Sequence, residues 1–253
     1  MVTLKSPAEL EKMRRAGRVV AEVLAGMREW VAAGVTTAEL NDRAEALIVG
    51  RGGIPSFKGY PPGSARPFPA SICASVNEEL VHGFPGPRVL REGDIISIDV
   101  GAIVDGYHGD AAITLPVGRV SQEAQRLLET TEGALRAGIA AARIGRRSGD
   151  ISATIQRYVE QRGFSVVREY TGHGIGREMH EDPQVPNYGQ PRQGVVLREG
   201  LTVALEPMVL AGDRAVRVLD DHWTVVSCDG GLTAHFEHTI AITRTGAEIL
   251  TRL

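Results

Sequence analysis

The pattern of apolar and polar positions along the chain predicts four helices. Two of them begin at capping boxes, residues 6–9 (SPAE) and 36–39 (TTAE), in which a hydroxyl and a glutamate satisfy free N–H groups of the first turn. Apolar residues then recur at helical spacing behind each box. Ser121 and Ser148 precede two further helices, the last of them over residues 151–161.

Apolar runs of strand length fill much of the remaining chain. They predict strands within residues 71–76, 94–115, 165–169, 201–210 and 239–243. Two helices followed by strands occur twice, with helix starts 115 residues (6 to 121) and 112 residues (36 to 148) apart. We therefore predict a single domain over residues 1–253, made of duplicated halves of approximately 1–120 and 121–253. The separation of helices from strands predicts an α+β fold, with helices behind an antiparallel sheet whose other face is free to hold a site.

Charge and cysteine content narrow the class of protein. Lys and Arg number 28 and Asp and Glu number 31, and this net charge of −3 argues against a general binder of nucleic acid or membrane surfaces. Two cysteines cannot form a disulfide framework, which fits a reducing compartment. No apolar run approaches the roughly 18 residues of a spanning helix, and no signal sequence is evident. We expect a cytoplasmic protein without membrane segments.

The segment 94–115 carries two aspartates that a hairpin would bring together. Asp105-Gly106 favours a two-residue turn, which places Asp110 opposite Gly101 and puts Asp99 diagonally across on the same face. Two carboxylates about 4 Å apart repel by about 4 kcal/mol at an effective dielectric constant of 20, and the hairpin contains no Lys or Arg. Either the pair shares a proton or it binds a cation. The alternative is a longer turn with another register and one exposed aspartate.

The second half contributes two glutamates and a histidine. Glu206 ends one apolar strand and Glu237 precedes another, and each needs a partner if it is buried rather than lying on an edge strand in water. His173 lies in a glycine-rich segment, 172–176, whose glycines disfavour a helix and allow the backbone to approach a ligand; an ordinary loop histidine is the alternative. Four carboxylates and one imidazole suit two divalent ions. The lack of any CxxC motif argues against structural zinc.

At this point the chain resembles the type I methionine aminopeptidases, in the bacterial form without the N-terminal zinc-binding module. The resemblance covers essentially the whole chain. The motifs that carry it are residues 71–85 (SICASVNEELVHGFP), 99–101 (DVG), 109–112 (GDAA), 172–176 (GHGIG), 180–183 (HEDP), 206–207 (EP) and 237–239 (EHT).

The resemblance implies the pita-bread (creatinase/aminopeptidase) fold: a pseudo-two-fold duplicated, curved antiparallel sheet with helices on its outer face. It also implies two divalent metal ions, of which Co, Mn, Fe, Zn and Ni are all compatible with oxygen and imidazole donors. The implied metal ligands are Asp99, Asp110, His173, Glu206 and Glu237, with Asp110 and Glu237 bridging the two ions.

The activity implied is removal of the initiator methionine from nascent chains with a small second residue, by attack of a hydroxide held between two metal ions. Glu206 is expected to act as base and then acid, His180 to stabilise the oxyanion, and His82 to steady the scissile amide. We expect a monomer in transient contact with the ribosome, without binding to a specific nucleic acid or a membrane.

The implied pocket for the methionine side chain is apolar and aromatic. Its expected residues are Tyr60, Phe68, Cys73, Met179 and Trp223. Met179 stands where relatives often have Phe, and the stretch 61–67 looks longer than in the shorter bacterial forms, which leaves the role of Tyr60 open. The other histidines do not match ligand positions and are expected to be structural or on the surface: His108, His222, His235 and His238.

Three alternatives compete with this interpretation. X-Pro aminopeptidases and prolidases share the five-ligand pattern, but they are usually longer, and 253 residues leave no room for their N-terminal domain. A non-catalytic peptide-binding or ribosome-associated relative would typically have lost ligands, whereas all five are present. An α+β domain with scattered acids would make five matching positions a coincidence.

Overall fold

The computed structural model describes residues 2–253, so Met1, the first residue of the predicted domain, lies outside the described residues. Over this part of the chain the helices are α1 (Pro7–Trp30), α2 (Thr37–Gly50), α3 (Gln122–Ala141) and α4 (Ser148–Glu160). None of the helices within residues 2–253 has the length and apolar character needed to cross a membrane.

The strands are short, apart from two in the first half. In chain order they are β1 (Ile54–Pro55), β2 (Ile72–Val76), β3 (Glu79–Val81), β4 (Ile95–Val104), β5 (Tyr107–Pro116), β6 (Ser165–Val166), β7 (Thr171–Gly174), β8 (Glu181–Pro186), β9 (Thr202–Leu205), β10 (Met208–Leu210), β11 (Val216–Val218), β12 (Val225–Ser227), β13 (Thr233–His235), β14 (His238–Thr243) and β15 (Gly246–Ile249).

Both predicted capping boxes are confirmed. The Ser6 and Thr36 hydroxyls accept the N–H groups of Glu9 and Glu39, whose carboxylates in turn accept the N–H groups of the two capping residues. Ser121 precedes α3 as predicted, and the structure shows that its hydroxyl caps the helix by accepting the N–H of Ala124. The local sequence therefore sets where these helices begin.

The predicted start of α4 is wrong by a few residues. The N-cap is Arg147, because the carboxylate of Asp150 accepts the Arg147 N–H at 2.9 Å. Ser148, expected to precede this helix, lies within its first turn, and its hydroxyl accepts the N–H of Val195 at 3.1 Å. This contact joins residues 47 positions apart in the chain.

The strands form antiparallel sheets, as the predicted α+β class requires. Strand β4 lies between β1 and β2 on one side and β5 on the other, and a five-stranded sheet has the order β15-β14-β9-β7-β8. Two three-stranded sheets, β13-β10-β6 and β11-β12-β3, complete the set in the described residues. The predicted strand 201–210 is interrupted at residues 206–207, and the predicted strand 165–169 is limited to β6. The division into halves at residue 120 stays a prediction.

Helix α1 packs closely on strands β4 and β5. A Cβ atom on Gly109 would lie 2.7 Å from the backbone nitrogen of Gly17, so only glycine allows this helix-to-strand distance. Because side chains alternate along a strand, Asp110 then points to the face of β5 opposite α1. The close packing on one side therefore directs a carboxylate to the other.

One apolar core connects the four helices to strands from along the described chain. Fully buried members include Val20 of α1, Ile98 of β4, Leu127 of α3, Ile151 of α4 and Val203 of β9. At about 25 cal/mol per Å² of buried apolar surface, this continuous core is the main stabilising contribution to the structure that carries the site.

Candidate metal centre and its pocket

The β4–β5 hairpin has the predicted turn and register. Asp105 and Gly106 both have positive φ, at 51° and 76°, as a two-residue turn of this kind requires. Asp110 lies opposite Gly101, and Asp99 is two residues away from that pair on the same face. The charge of Asp99 is close enough to Asp110 to help raise the pKa of the Asp110 carboxyl group, after burial and the charge of Glu237. The alternative of a longer turn with one exposed aspartate is therefore excluded.

Backbone pairing between residues far apart in the chain brings Glu237 to this hairpin. The Glu237 N–H donates to the carbonyl of Ala112 at 2.9 Å, and the Ala112 N–H donates back at 3.3 Å. The Thr239 hydroxyl donates to the Asp110 carbonyl at 2.8 Å and accepts the Asp110 N–H at 3.0 Å. The break between β13 and β14, where Glu237 lies, is thereby held beside Asp110.

Glu206 and His173 come from neighbouring strands of the five-stranded sheet. His173 on β7 pairs with Ala204 on β9, and Glu206 directly follows β9. The Asn187 side-chain amide donates to the Glu206 carbonyl at 2.9 Å and fixes the backbone at the break before β10. His173 Nε2 lies 3.5 Å from Glu206 Oε1.

The glycines around His173 serve a purpose different from the expected one. A Cβ atom on Gly172 would lie 2.5 Å from the carbonyl oxygen of Ala204, and one on Gly174 would clash with the carbonyl oxygen of Asp182. These glycines let β7 approach neighbouring backbone, whereas the sequence suggested a close approach to a ligand. Their effect on the site is indirect, because they seat β7 deeply enough for His173 to reach the acids.

The ring of His173 is oriented by its own chain. Its Nδ1 lies 2.9 Å from the carbonyl oxygen of Gly174, and a carbonyl only accepts, so Nδ1 carries the proton. The lone pair of neutral His173 therefore resides on Nε2. One ligand atom each from Asp110, His173 and Glu237 lie within 4.8 Å of one another. This is the donor pattern of a metal site, with the histidine in its ligating tautomer.

Burial and mutual repulsion perturb the pKa values of these groups. Burial raises the pKa of Asp99 to about 7. The pKa of Asp110 is raised well above its usual range by burial and by the charges of Glu237 and Asp99. The pKa values of Glu206 and Glu237 are also raised, mainly by burial and then by neighbouring carboxylates. Without a counter-charge, the fold holds these carboxyl groups close together although their negative charges repel one another.

The donor set fits divalent metal ions. Three buried carboxylate oxygens, Asp99 Oδ1, Asp110 Oδ1 and Glu237 Oε1, have no hydrogen-bond partner among the described residues. No Lys or Arg is found among the described residues that line the surrounding cavity. Since buried charges require pairing or metal coordination, a cation is the partner that these oxygens lack.

The acids form one end of a cavity of about 170 Å³. All twelve residues singled out in the sequence line it: Tyr60, Phe68, Cys73, His82, Asp99, Asp110, His173, Met179, His180, Glu206, Trp223 and Glu237. Six others that the sequence did not single out also line it: Phe57, Val81, Tyr170, Thr171, Met208 and His235.

The other end of the cavity is apolar and aromatic. Phe68 is 3% exposed and meets the rings of Phe57 and Trp223 edge-on, at centroid distances of 6.3 Å and 5.3 Å. Cys73 and Met179 are buried in the same apolar cluster. The cavity thus joins a charged end to a pocket suited to an apolar side chain.

Two histidines stand between these ends. The Tyr60 hydroxyl lies 2.6 Å from His180 Nδ1, and the His180 ring packs against that of His173 at 4.3 Å. His82 meets the ring of Tyr170 at 5.7 Å, and burial lowers its pKa to about 4. Desolvation also lowers the pKa of His180. Both rings are therefore neutral near pH 7.

His235 is the site residue that sequence reasoning missed. Expected to be structural or on the surface, it is 2% exposed, and its unpartnered Nε2 lies 3.7 Å from Glu206 and 3.8 Å from Glu237. Its position two residues before Glu237 could have indicated that it lies near the site. Strand pairing between His235 and Met208, which the local sequence does not encode, places it there. The other three histidines agree with expectation: His108 bonds Ser56, His238 bonds Thr251, and His222 is exposed.

The segment that carries His180 is fastened by a buried ion pair. Glu181 accepts the N–H groups of Arg177 and Glu178 at 2.9 Å and 3.3 Å through Oε1, and Lys5 Nζ lies 2.5 Å from Oε2. Lys5 is only 6% exposed. The N-terminal segment thus secures the turn immediately before His180.

Replacing Lys5 with methionine is expected to lower the free energy of unfolding by about 3 kcal/mol, because the Glu181 carboxylate loses its buried counter-charge. Urea denaturation measures this change. Lys58→Met is the matched control, since it breaks an exposed pair with Glu45, and such pairs contribute about 0–1 kcal/mol. Equal losses in the two variants would contradict the assignment of a buried pair.

Comparison with known proteins identifies the family. The sequence pattern of metallopeptidase family M24 matches residues 11–244. The chain belongs to this family. Within family M24, methionine aminopeptidase 1 of Bacillus subtilis is 54% identical over 253 residues, covering all of both chains. The resemblance to bacterial type I methionine aminopeptidases is confirmed over the full length.

Solved structures of the family agree on the fold. The crystal structure of methionine aminopeptidase from Thermotoga maritima matches with a TM-score of 0.97 and 47% identity, covering all of both chains. Prolidase from Pyrococcus furiosus, at 22% identity, shares the fold alone, with a TM-score of 0.78 over 99% of this chain and 65% of that one. The predicted pita-bread fold is confirmed, and the chain is a member of a metallopeptidase family.

Proposed function

We propose that this chain is a metal-dependent methionine aminopeptidase, which removes the N-terminal methionine from peptides with a small second residue. The observation that carries the proposal is the cavity itself, which joins an acidic, cation-seeking cluster to a pocket of apolar and aromatic side chains. An unbranched thioether suits that pocket, and the peptide bond that follows it lies toward the acids. The full-length similarity to methionine aminopeptidases supports the same activity.

The metal ligands in this proposal are the five residues named from the sequence. Asp99, Asp110, His173, Glu206 and Glu237 would hold two divalent ions, and the family resemblance assigns Asp110 and Glu237 to both. Their unpartnered oxygens, raised carboxyl pKa values and the free Nε2 of His173 support this set. Co, Mn, Fe, Zn and Ni all accept oxygen and imidazole donors, so availability decides among them.

Metal ions bound there supply an activated water and polarise the carbonyl of the first peptide bond. Glu206 accepts a proton from the attacking water and returns it to the leaving amine. When the Tyr60 hydroxyl donates to His180 Nδ1, the ring proton resides on Nε2, which is then a donor for the carbonyl oxygen as negative charge develops. His82, which also lines the cavity, steadies the amide nitrogen.

The two halves contribute unequally to this centre. Asp99 and Asp110 precede residue 120, while the three other ligands follow it, so the proposed halves of one catalytic domain meet at the site.

We propose that the chain acts as a monomer in the cytoplasm on nascent chains, in transient contact with the ribosome. The support is chemical, because newly made chains begin with methionine and both cysteines here are free.

The proposed activity is tested by release of free methionine from Met-Ala-Ser after chelation and reloading with each metal in turn. We expect release that depends on added metal, and far slower cleavage of an X-Pro peptide. Cleavage of the X-Pro peptide in preference to Met-Ala-Ser would assign the site to the prolidase-like activity. Absence of methionine release with every metal would overturn the proposal.

Replacing His180 with alanine is expected to lower kcat by about 10²–10³-fold with a smaller effect on KM, the pattern for a lost oxyanion donor. Steady-state kinetics on Met-Ala-Ser measures both constants. His222→Ala removes an exposed histidine and serves as the control. A change in KM alone would rule out the oxyanion role.

A further inference from the structure

The segment 61–67, here called the rim loop, closes on itself beside the mouth of the cavity. The Gly59 N–H donates to the Phe68 carbonyl at 2.8 Å, and the Phe68 N–H donates to the Tyr60 carbonyl at 2.7 Å. Within the loop, an N–H group donates to the Ser64 hydroxyl at 3.1 Å. These bonds hold the loop in one shape although all seven of its residues are exposed.

The rim loop is bonded to the far wall of the pocket. The indole Nε1–H of Trp223 donates to the backbone carbonyl of Arg66 at 3.2 Å, across 157 residues of chain. The Trp223 backbone is fixed separately, because the Asp221 carboxylate accepts its N–H at 2.9 Å and that of Thr224 at 2.8 Å. The turn at Asp221 therefore fixes the position of the Trp223 backbone, and the bond to the rim loop fixes the orientation of its ring.

The ring held in this way forms part of the pocket for the substrate. It stands edge-on to Phe68 at 5.3 Å and to His82 at 6.1 Å. Tyr60 and Phe68, the residues that flank the rim loop, also line the cavity. Three aromatic walls of one pocket thus depend on the shape of a single exposed loop.

We propose that the rim loop determines specificity for the first side chain of the substrate, by latching Trp223 in place through the Arg66 carbonyl. This inference rests on the proposed function. Substrates that differ by one methylene in an apolar pocket differ in kcat/KM by only about 10–200-fold. A pocket whose wall moves to accommodate a branched side chain loses most of that selectivity. The bond to the Arg66 carbonyl prevents this movement of the Trp223 ring.

The latch is separate from the chemistry. The rim loop supplies none of the residues that line the acidic end of the cavity, and its contact with the pocket is through a main-chain carbonyl. Loss of the latch is therefore expected to raise turnover of peptides with branched first residues relative to that of methionine peptides. Loss of catalytic geometry would lower both.

The test removes the indole N–H without changing the shape of the ring. The chain has two tryptophans, so Trp30→Phe leaves Trp223 alone, and growth on benzothienylalanine then replaces its N–H with sulfur. We expect the ratio of kcat/KM for Met-Ala-Ser to that for Leu-Ala-Ser to fall about 10-fold. This ratio is the kinetic readout, because a loss of catalytic geometry would lower both kcat/KM values and leave their ratio unchanged.

A second measurement does not depend on activity. In the Trp30→Phe protein, replacing residues 61–67 with a short glycine turn is expected to shift Trp223 emission to longer wavelength and to speed its anisotropy decay. Arg66→Ala is the matched control, because it keeps the main-chain carbonyl and should change neither emission nor selectivity.

The outcomes separate the two proposals. An unchanged selectivity ratio in the benzothienylalanine protein, or unchanged Trp223 fluorescence after loop replacement, would overturn the latch. Failure of the parent protein to release methionine would overturn the proposed function instead, and the fluorescence measurement would still decide whether the rim loop holds Trp223.

Discussion

Replacing Asp110 with alanine is expected to remove bound metal together with activity. Asp110 is 3% exposed, its Oδ1 has no partner within the described residues, and the charges of Glu237 and Asp99 act on it, so a bound cation would relieve the repulsion. Loss of a supporting partner around a metal site costs about 10–100-fold in metal affinity, so loss of a proposed ligand itself should cost more than about 100-fold. Elemental analysis after dialysis measures the metal retained.

The same substitution is expected to stabilise the metal-free protein. A carboxyl whose pKa is raised on folding costs stability above its unfolded pKa of about 3.9, so Asp110 weakens the metal-free fold at pH 7. Thermal melting without metal should therefore give a higher Tm for Asp110→Ala than for the parent, whereas added metal should raise only the parent's Tm.

A control from the same hairpin separates the site from the turn. Asp105→Asn changes an exposed aspartate, paired with Arg15, and should keep both metal content and the Tm gain on adding metal. Two tightly held ions in Asp110→Ala would contradict a bridging role for this residue.

Local sequence was sufficient for the parts of the structure that local contacts determine. Asp105-Gly106 predicts the turn, the turn sets the register, and the register places Asp99 and Asp110 on one face. The capping boxes at Ser6 and Thr36 work through the same short range. In each case the interacting groups lie within about a dozen residues of one another.

Other features depend on contacts that no local pattern encodes. The backbone pair between Glu237 and Ala112 joins segments far apart in the chain. The family resemblance, rather than periodicity, implied that Glu237 and Asp110 belong to one site. Pairing with β10 turns His235 toward the acids. The bond from Trp223 to the rim loop joins two segments that each look like an ordinary surface turn.

Replacing Glu206 with glutamine is expected to lower kcat for Met-Ala-Ser by at least about 10²-fold, the typical contribution of general acid–base catalysis. Glutamine has the same shape but cannot accept the proton of the attacking water. The fold should be retained, because burial already raises the pKa of Glu206 and a neutral amide is easier to bury than a carboxylate. Unfolding in urea should therefore show no loss of stability.

The ligand and base roles of Glu206 are separated by measuring metal content alongside kcat. His173 Nε2, 3.5 Å away, and the carboxylates of the hairpin remain to hold metal in the variant, so a fall in kcat much larger than the fall in occupancy assigns the loss to proton transfer. Glu199→Gln, which changes an exposed glutamate paired with Arg244, is the matched control and should keep full activity. Near-normal turnover by Glu206→Gln would show that another group takes the proton, and His235, whose Nε2 faces the same carboxylate at 3.7 Å, would be the first residue to substitute next.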